Sequence, residues 1–219
     1  MMSVAVKISN LTIGYKNHIV ASGLSGELMS GELTCLLGTN GVGKSTLLRS
    51  LAHSYKEQCA IVLTDKPDVQ NMTVSEVVGL GRSLYTGFFG TLKDNDIKIV
   101  RQAIEQVGTT DLVDRNFAAL SDGEKQKVMI AKALAQQTNI IFLDEPTAFL
   151  DYPSKKDVLQ LLAEIATQDN KAILMSTHDF ELSLIYCHRV WIMDADEGII
   201  SSTPDKVYFN DAERKFRIK

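Results

Sequence analysis

The segment Gly38-Thr39-Asn40-Gly41-Val42-Gly43-Lys44-Ser45 fits the spacing G-x-x-x-x-G-K-[ST]. It stands directly after the apolar run Leu33 to Leu37 and opens the helical run Ser45 to Ala52. A strand that turns through glycines into a helix leaves few folds open. The loop must wrap backbone N–H groups around an anionic group, and side chains at those positions would block the approach. The helix start adds a dipole that favours negative charge. Lys44 is then placed to neutralise the β- and γ-oxygens of a nucleotide, and Ser45 to offer its hydroxyl to Mg2+. Gly38, Asn40, Gly41, Gly43 and the following Thr46 complete the cradle. The fold class that follows is α/β, built on a P-loop NTPase core.

The other apolar runs agree with that class. Leu33 to Leu37, Ala60 to Leu63, Ile140 to Leu143 and Ala172 to Met175 are short and continuous, the pattern of parallel strands covered on both faces. Val4, Val6 and Ile8, then Leu11, Ile13 and Tyr15, alternate with polar neighbours and predict a half-exposed N-terminal antiparallel β edge, beside a mixed, mostly parallel sheet. Thr73 to Arg82 and Ile97 to Val107 have helical spacing. Thr73 suits the first cap, and Gly108 suits the left-handed position past the second helix. Residues 67–137 therefore read as an inserted helical subdomain, 1–66 and 138–219 as the α/β core, and 1–219 as one domain.

Ile140-Ile141-Phe142-Leu143-Asp144-Glu145 is a buried strand ending in two acids. A strand neighbouring the cradle delivers both to the carboxyl edge of the sheet, where open α/β folds bind ligands. Alternation along the strand aims Asp144 at the metal and Glu145 at the space where an attacking water stands. Pro146 ends the strand, and the loop from Thr147 to Tyr152 precedes a helix from about Ser154 to Gln168.

Charge and cysteine usage exclude several classes. With 23 Lys and Arg against 27 Asp and Glu, the net charge of −4 argues against a surface built to grip nucleic acid. Cys35, Cys59 and Cys187 are widely spaced without a C-x-x-C pair, so buried, reduced thiols in a reducing compartment are expected. The first ten residues lack the charged and apolar blocks of a signal peptide, and no apolar run approaches the roughly 18 residues a membrane span needs.

Leu120-Ser121-Asp122-Gly123-Glu124 opens a further helix, with Ser121 and Glu124 spaced as a capping box and Gly123 unexplained by capping alone. Together with the cradle and the acids, this segment resembles the signature of the ATP-binding cassette (ABC) ATPases, the motor subunits of ABC transporters, and the resemblance covers nearly the whole chain. It implies ATP hydrolysis with Mg2+ held through Ser45 and Asp144, and Glu145 as the general base. His178, in Ser176-Thr177-His178-Asp179, matches the switch histidine that holds the γ-phosphate and water. Tyr15 matches the aromatic residue that stacks on adenine. Ser121 and Gly123 match the residues that receive the γ-phosphate of ATP held by a second copy, so that a homodimer sandwiches two ATP. Asp151, in Ala148-Phe149-Leu150-Asp151, matches the residue that joins the two sites across that dimer.

The chain departs from the family pattern at several places. Asp122 and Glu124 stand where Gly and Gln are commonest, and Phe149 replaces a small residue. The lid glutamine after the second buried strand is represented by Thr64, Asp65 or Gln70. His18, His53 and His188 match nothing and read as surface or packing residues. Asn71 to Arg82, with Tyr85-Thr86-Gly87, resembles the helical lobe of importers for iron chelates, haem and cobalamin. That likeness implies a subunit on the inner, cytoplasmic face of the membrane, held by a separate permease and served by a substrate-binding protein. The alternatives are an exporter, or a non-transport ABC-type ATPase acting on nucleic acid or ribosomes. The long coiled coils and basic linkers of the latter have no counterpart here, and no nucleic-acid partner is expected.

Overall fold

The computed structural model describes residues 3–15, 18–64, 69, 71–86, 91–194, 196–210 and 215–218. The chain opens with two long strands, β1 (Val4–Tyr15) and β2 (His18–Met29), followed by β3 (Leu33–Leu37), α1 (Lys44–Ser54) and β4 (Cys59–Val62). Three helices come next, α2 (Val74–Gly79), α3 (Asp94–Gln106) and α4 (Asp122–Ala135). Then β5 (Ile140–Asp144), α5 (Tyr152–Gln168), β6 (Ala172–Ser176), α6 (Phe180–Tyr186) and β7 (Arg189–Asp194) alternate. The chain closes with β8 (Gly198–Ser202), β9 (Val207–Asn210) and β10 (Lys215–Ile218).

Six strands form the central sheet in the order β4-β5-β6-β3-β7-β8, parallel except for the antiparallel edge strand β8. This mixed, mostly parallel sheet is the expected one. The expected N-terminal antiparallel β edge is there too: β1 and β2 pair antiparallel as a two-stranded sheet of their own, beside the central one. The reason is visible in their burial. Val6, Ile8, Ile13, Leu24 and Leu28 pack with Leu36, Leu47, Leu48, Phe142, Leu174 and Trp191, so the pair covers a face of the central sheet alongside α1.

The opposite face carries a second core. Leu33, Cys35 and Leu37 of β3 join Ile141, Leu143, Ile173 and Met175 against Val158, Leu159, Leu162, Ile165 and Ala166 of α5 and the buried stripes of α3 and α4. Alternate side chains of one strand therefore enter different cores, which explains why each central strand is apolar throughout. Each fully buried Leu or Ile stabilises the fold by about 1.5–3 kcal/mol.

Helix boundaries follow local chemistry. Thr73 caps α2 by accepting from the Glu76 N–H at 3.3 Å while Glu76 accepts from the Thr73 N–H at 2.7 Å. Helix α3 ends at Val107, with Gly108 at φ 68° and the Thr109 N–H donating back to the Ile104 carbonyl. Cys35, Cys59 and Cys187 are buried free thiols, and burial pushes the Cys59 thiol up to about 11. Among the described residues no helix is long and apolar enough to cross a membrane.

Candidate functional site

Strand β3 runs into the glycine loop, and the loop into α1, at the carboxyl edge of the sheet. Gly43 sits immediately before α1 at φ 110°, and a Cβ there would lie 2.7 Å from Val20 Cγ1. Both the backbone angle and the neighbouring strand demand glycine. Lys44 is buried, and its Nζ donates to the carbonyls of Gly38 at 2.8 Å and Thr39 at 3.2 Å. Burial pulls the Lys44 pKa below the ordinary lysine range, and the negative charges of Glu145 and Asp144 oppose that pull.

The acids come from β5, which is not the neighbour of β3; β6 lies between them. They reach the cradle because the intervening strand carries a small polar residue at that height. Ser176 pairs in register with both Asp144 and Leu36, and its fully buried hydroxyl donates to Asp144 Oδ1 at 2.7 Å. The same Oδ1 accepts from Ser45 Oγ at 2.9 Å. The Ser176 oxygen in turn accepts from the Glu145 N–H at 2.9 Å, so one hydroxyl orients both acids. Ser176 was part of the quoted switch segment but had no role there. Its signal, a polar residue ending an otherwise apolar strand, is present in the sequence.

Strand alternation is not what separates Asp144 from Glu145. β5 ends at Asp144, and Glu145 leaves it at φ 50°, a left-handed conformation uncommon for a non-glycine residue. That turn brings Glu145 Oε1 to 2.7 Å from Nε2 of His178. Thr64 donates to the Asp144 carbonyl at 2.8 Å, which places it beside the acids; Asp65 and Gln70 lie outside the described residues.

Tyr15, Asn40, Gly41, Gly43, Lys44, Ser45, Thr46, Glu145 and His178 converge on one cleft of about 570 Å3. His18 and Val20 also line it. His18 is exposed, as expected of a surface residue, and lies at the cleft. It pairs with Tyr15 across the β1–β2 hairpin, with the rings 6.0 Å apart and tilted by 53°. His188 does have the packing role expected, accepting from the Leu33 N–H at 3.0 Å.

Ser121, Gly123 and Asp151 stand apart from that cleft, at the starts of α4 and α5. Ser121 and Glu124 form the capping box, the Ser121 N–H donating to Glu124 Oε2 at 2.8 Å, and these bonds hold the Glu124 carboxyl below the usual range. Asp151 caps α5 through the Ser154 N–H at 3.0 Å, and its hydrogen bonds with Ser154 lower its pKa. A Cβ on Gly123 would meet Ser154 Oγ at 3.0 Å. Within this chain, then, it is the Ser154 side chain in the first turn of α5 that approaches Gly123.

The family model described as ABC transporter matches residues 21–148. This chain belongs to that family. An ABC transporter ATP-binding protein of Methanocaldococcus jannaschii is 37% identical, over 92% of this chain and 77% of its own length. The iron(3+)-hydroxamate import ATP-binding protein FhuC of Bacillus subtilis is 31% identical, over 84% and 77%. Among solved structures, a transporter described as of the metal-chelate type, in an inward-facing conformation, superposes with a TM-score of 0.84. It is 27% identical, with 93% of this chain and 84% of that one covered. The chain is an ABC ATPase: it binds and hydrolyses ATP as the ATP-binding subunit of a transporter.

Proposed function

We propose that this subunit drives import of an iron chelate or a related metal chelate through a separate permease, as a homodimer that sandwiches two Mg-ATP. The iron(3+)-hydroxamate import subunit and the metal-chelate-type transporter that this chain resembles support the substrate class. The rest follows from the site. Ser45 Oγ and Asp144 Oδ1, 2.9 Å apart, are the hard oxygen donors that Mg2+ takes alongside phosphate oxygens, so the residues present fit the ion. Bound Mg2+ neutralises charge on the β- and γ-phosphates. Lys44 and the N–H groups of the loop hold those phosphates, Asn40 and Thr46 line them, and Tyr15 covers the base. Glu145 accepts a proton from the attacking water, and His178 keeps its carboxylate aimed.

The observation that carries this reading is the 2.7 Å contact between Glu145 and His178 at the mouth of the phosphate cleft. It juxtaposes an acid and an imidazole from different loops where water must attack. Ser121, Gly123 and Asp151 lie outside the cleft, so within this proposal they serve the γ-phosphate of the other copy. Residues 67–137 form the lobe that carries Ser121 and Gly123. A permease then supplies the attachment to the inner face of the membrane, with a substrate-binding protein on the other side.

Sizing chromatography tests the sandwich. Glu145→Gln with Mg-ATP should elute as a dimer and without nucleotide as a monomer, and adding Ser121→Arg should abolish the dimer while calorimetric ATP binding by the monomer persists. A Glu145→Gln, Ser121→Arg dimer of unchanged strength would reject the trans site.

A further inference from the structure

Asp179 follows the switch histidine and stands at the cap position of α6, where an aspartate ordinarily accepts from the helix N–H groups. Here its side chain makes no such bond. Oδ2 accepts from Thr147 Oγ1 at 2.7 Å, and Oδ1 accepts from Lys155 Nζ at 2.7 Å in a three-quarters-buried ion pair. The two partners come from different places. Thr147 is buried and lies two residues after Glu145, in a turn where the Ala148 N–H donates to the Glu145 carbonyl at 3.0 Å. Lys155 lies in the first turn of α5, one turn beyond Asp151.

We infer that Asp179 is a positioning residue for hydrolysis: its carboxylate clamps the His178 loop onto the Glu145 turn and α5, and so maintains the 2.7 Å Glu145–His178 contact. This rests on the roles proposed above for Glu145 and His178. Three features point the same way. Both oxygens are engaged across loops and neither within its own helix. The bonds are charge-assisted or short, the kind that fixes geometry as well as adding energy. Glu145 also has a backbone angle, φ 50°, that persists only when its surroundings enforce it. Ser176 holds that turn from one side through the Glu145 N–H, and Asp179 holds it from the other through Thr147.

Steady-state ATPase kinetics of the full chain test the inference with Asp179→Ala, Asp179→Asn, His178→Ala and the Asp179→Ala, His178→Ala double variant. Asp179→Ala should lower kcat tenfold or more with KM for ATP within threefold of wild type, because the clamp acts on the water-attack geometry and touches no part of ATP. Asp179→Asn keeps an oxygen for Thr147 and loses the charge for Lys155, so it should fall between the two. In the His178→Ala background, Asp179→Ala should cost less than a further twofold, since the group it positions is already gone. Wild-type kcat in Asp179→Ala, a loss expressed in KM, or full additivity in the double variant would overturn the inference. If Asp179→Ala does not fold, Asp179→Asn decides: wild-type kcat refutes, and a reduced kcat at unchanged KM supports. Should His178→Ala itself turn over at the wild-type rate, the reading of the site fails and this one with it. A slow His178→Ala beside a fast Asp179→Ala fails this inference alone.

Discussion

Ser176→Ala is the sharpest probe of how the acids are held. The hydroxyl is fully buried, donates to Asp144 Oδ1 at 2.7 Å and accepts from the Glu145 N–H at 2.9 Å. A hydrogen bond to a charged group contributes about 1.5–3 kcal/mol and a neutral one about 0.5–1.5 kcal/mol. Alanine offers no substitute, so the two losses together should cost about 2–4 kcal/mol. For a domain of this size each kcal/mol moves the melting midpoint by about 2–4 °C, so the expected fall is roughly 4–16 °C. The function should suffer in a particular way. Asp144 keeps only Ser45 to orient the oxygen that both hydroxyls address, so the Mg2+ concentration giving half-maximal ATPase should rise several-fold. Thermal melting by circular dichroism and an Mg2+ titration of the ATPase rate check both. A midpoint within about 2 °C of wild type together with an unchanged Mg2+ requirement would refute the claim that Ser176 orients the acids.

Thr34 makes the opposite case: its hydroxyl is fully buried and has no hydrogen-bond partner among the described residues, so Thr34→Val should raise stability by about 1 kcal/mol in urea denaturation. A loss of stability would show that the hydroxyl is satisfied. Gly43→Ala should weaken calorimetric ATP binding at least tenfold, because the new methyl meets Val20 at 2.7 Å from a backbone angle that alanine avoids. Unchanged affinity would remove the steric argument. Glu124 has its pKa lowered chiefly by the Ser121 N–H, so its contribution to stability is present above the unfolded value of about 4.3 and is lost as pH falls through the lowered folded value. Glu124→Gln should flatten that part of the acid limb of a melting-against-pH curve, and an identical limb would assign the acid sensitivity elsewhere.

What could be read from residues alone was whatever is local. The G-x-x-x-x-G-K-S loop, the cap at Thr73, the capping box at Ser121 and the continuous apolar strands each depend on neighbours within a few positions, and the structure has them where expected. What depends on distant packing was not legible. Strand order is such a property: nothing in Ile140 to Asp144 announces that β6, and not β3, is its partner on that side. Alternation in Val4 to Tyr15 reports the half-exposed antiparallel edge that β1 forms, and it cannot report which residues of the central sheet and of α1 cover the buried face. β7 carries the same continuous apolar signal, Val190 to Met193, as the other parallel strands, whereas the runs of β8, β9 and β10 are short and of mixed polarity and carry too weak a period to be placed beforehand.

Gly123 and Glu145 show the same boundary within the site. In each, the local pattern singled the residue out while leaving its cause open. A glycine in a first helical turn signals that something approaches, and the sequence is silent on whether that is a phosphate or the hydroxyl of Ser154. Two acids in succession signal divided tasks, and alternation offers a sufficient reason until the backbone at Glu145 turns left-handed. That turn is bonded by Ser176 at the Glu145 N–H and carries Thr147, which donates to Asp179. None of these three touches the cleft, which is why a search for chemistry-bearing residues passes over them. The geometry of Glu145 is therefore a property of the hydrogen bonds around its turn as much as of the residue itself.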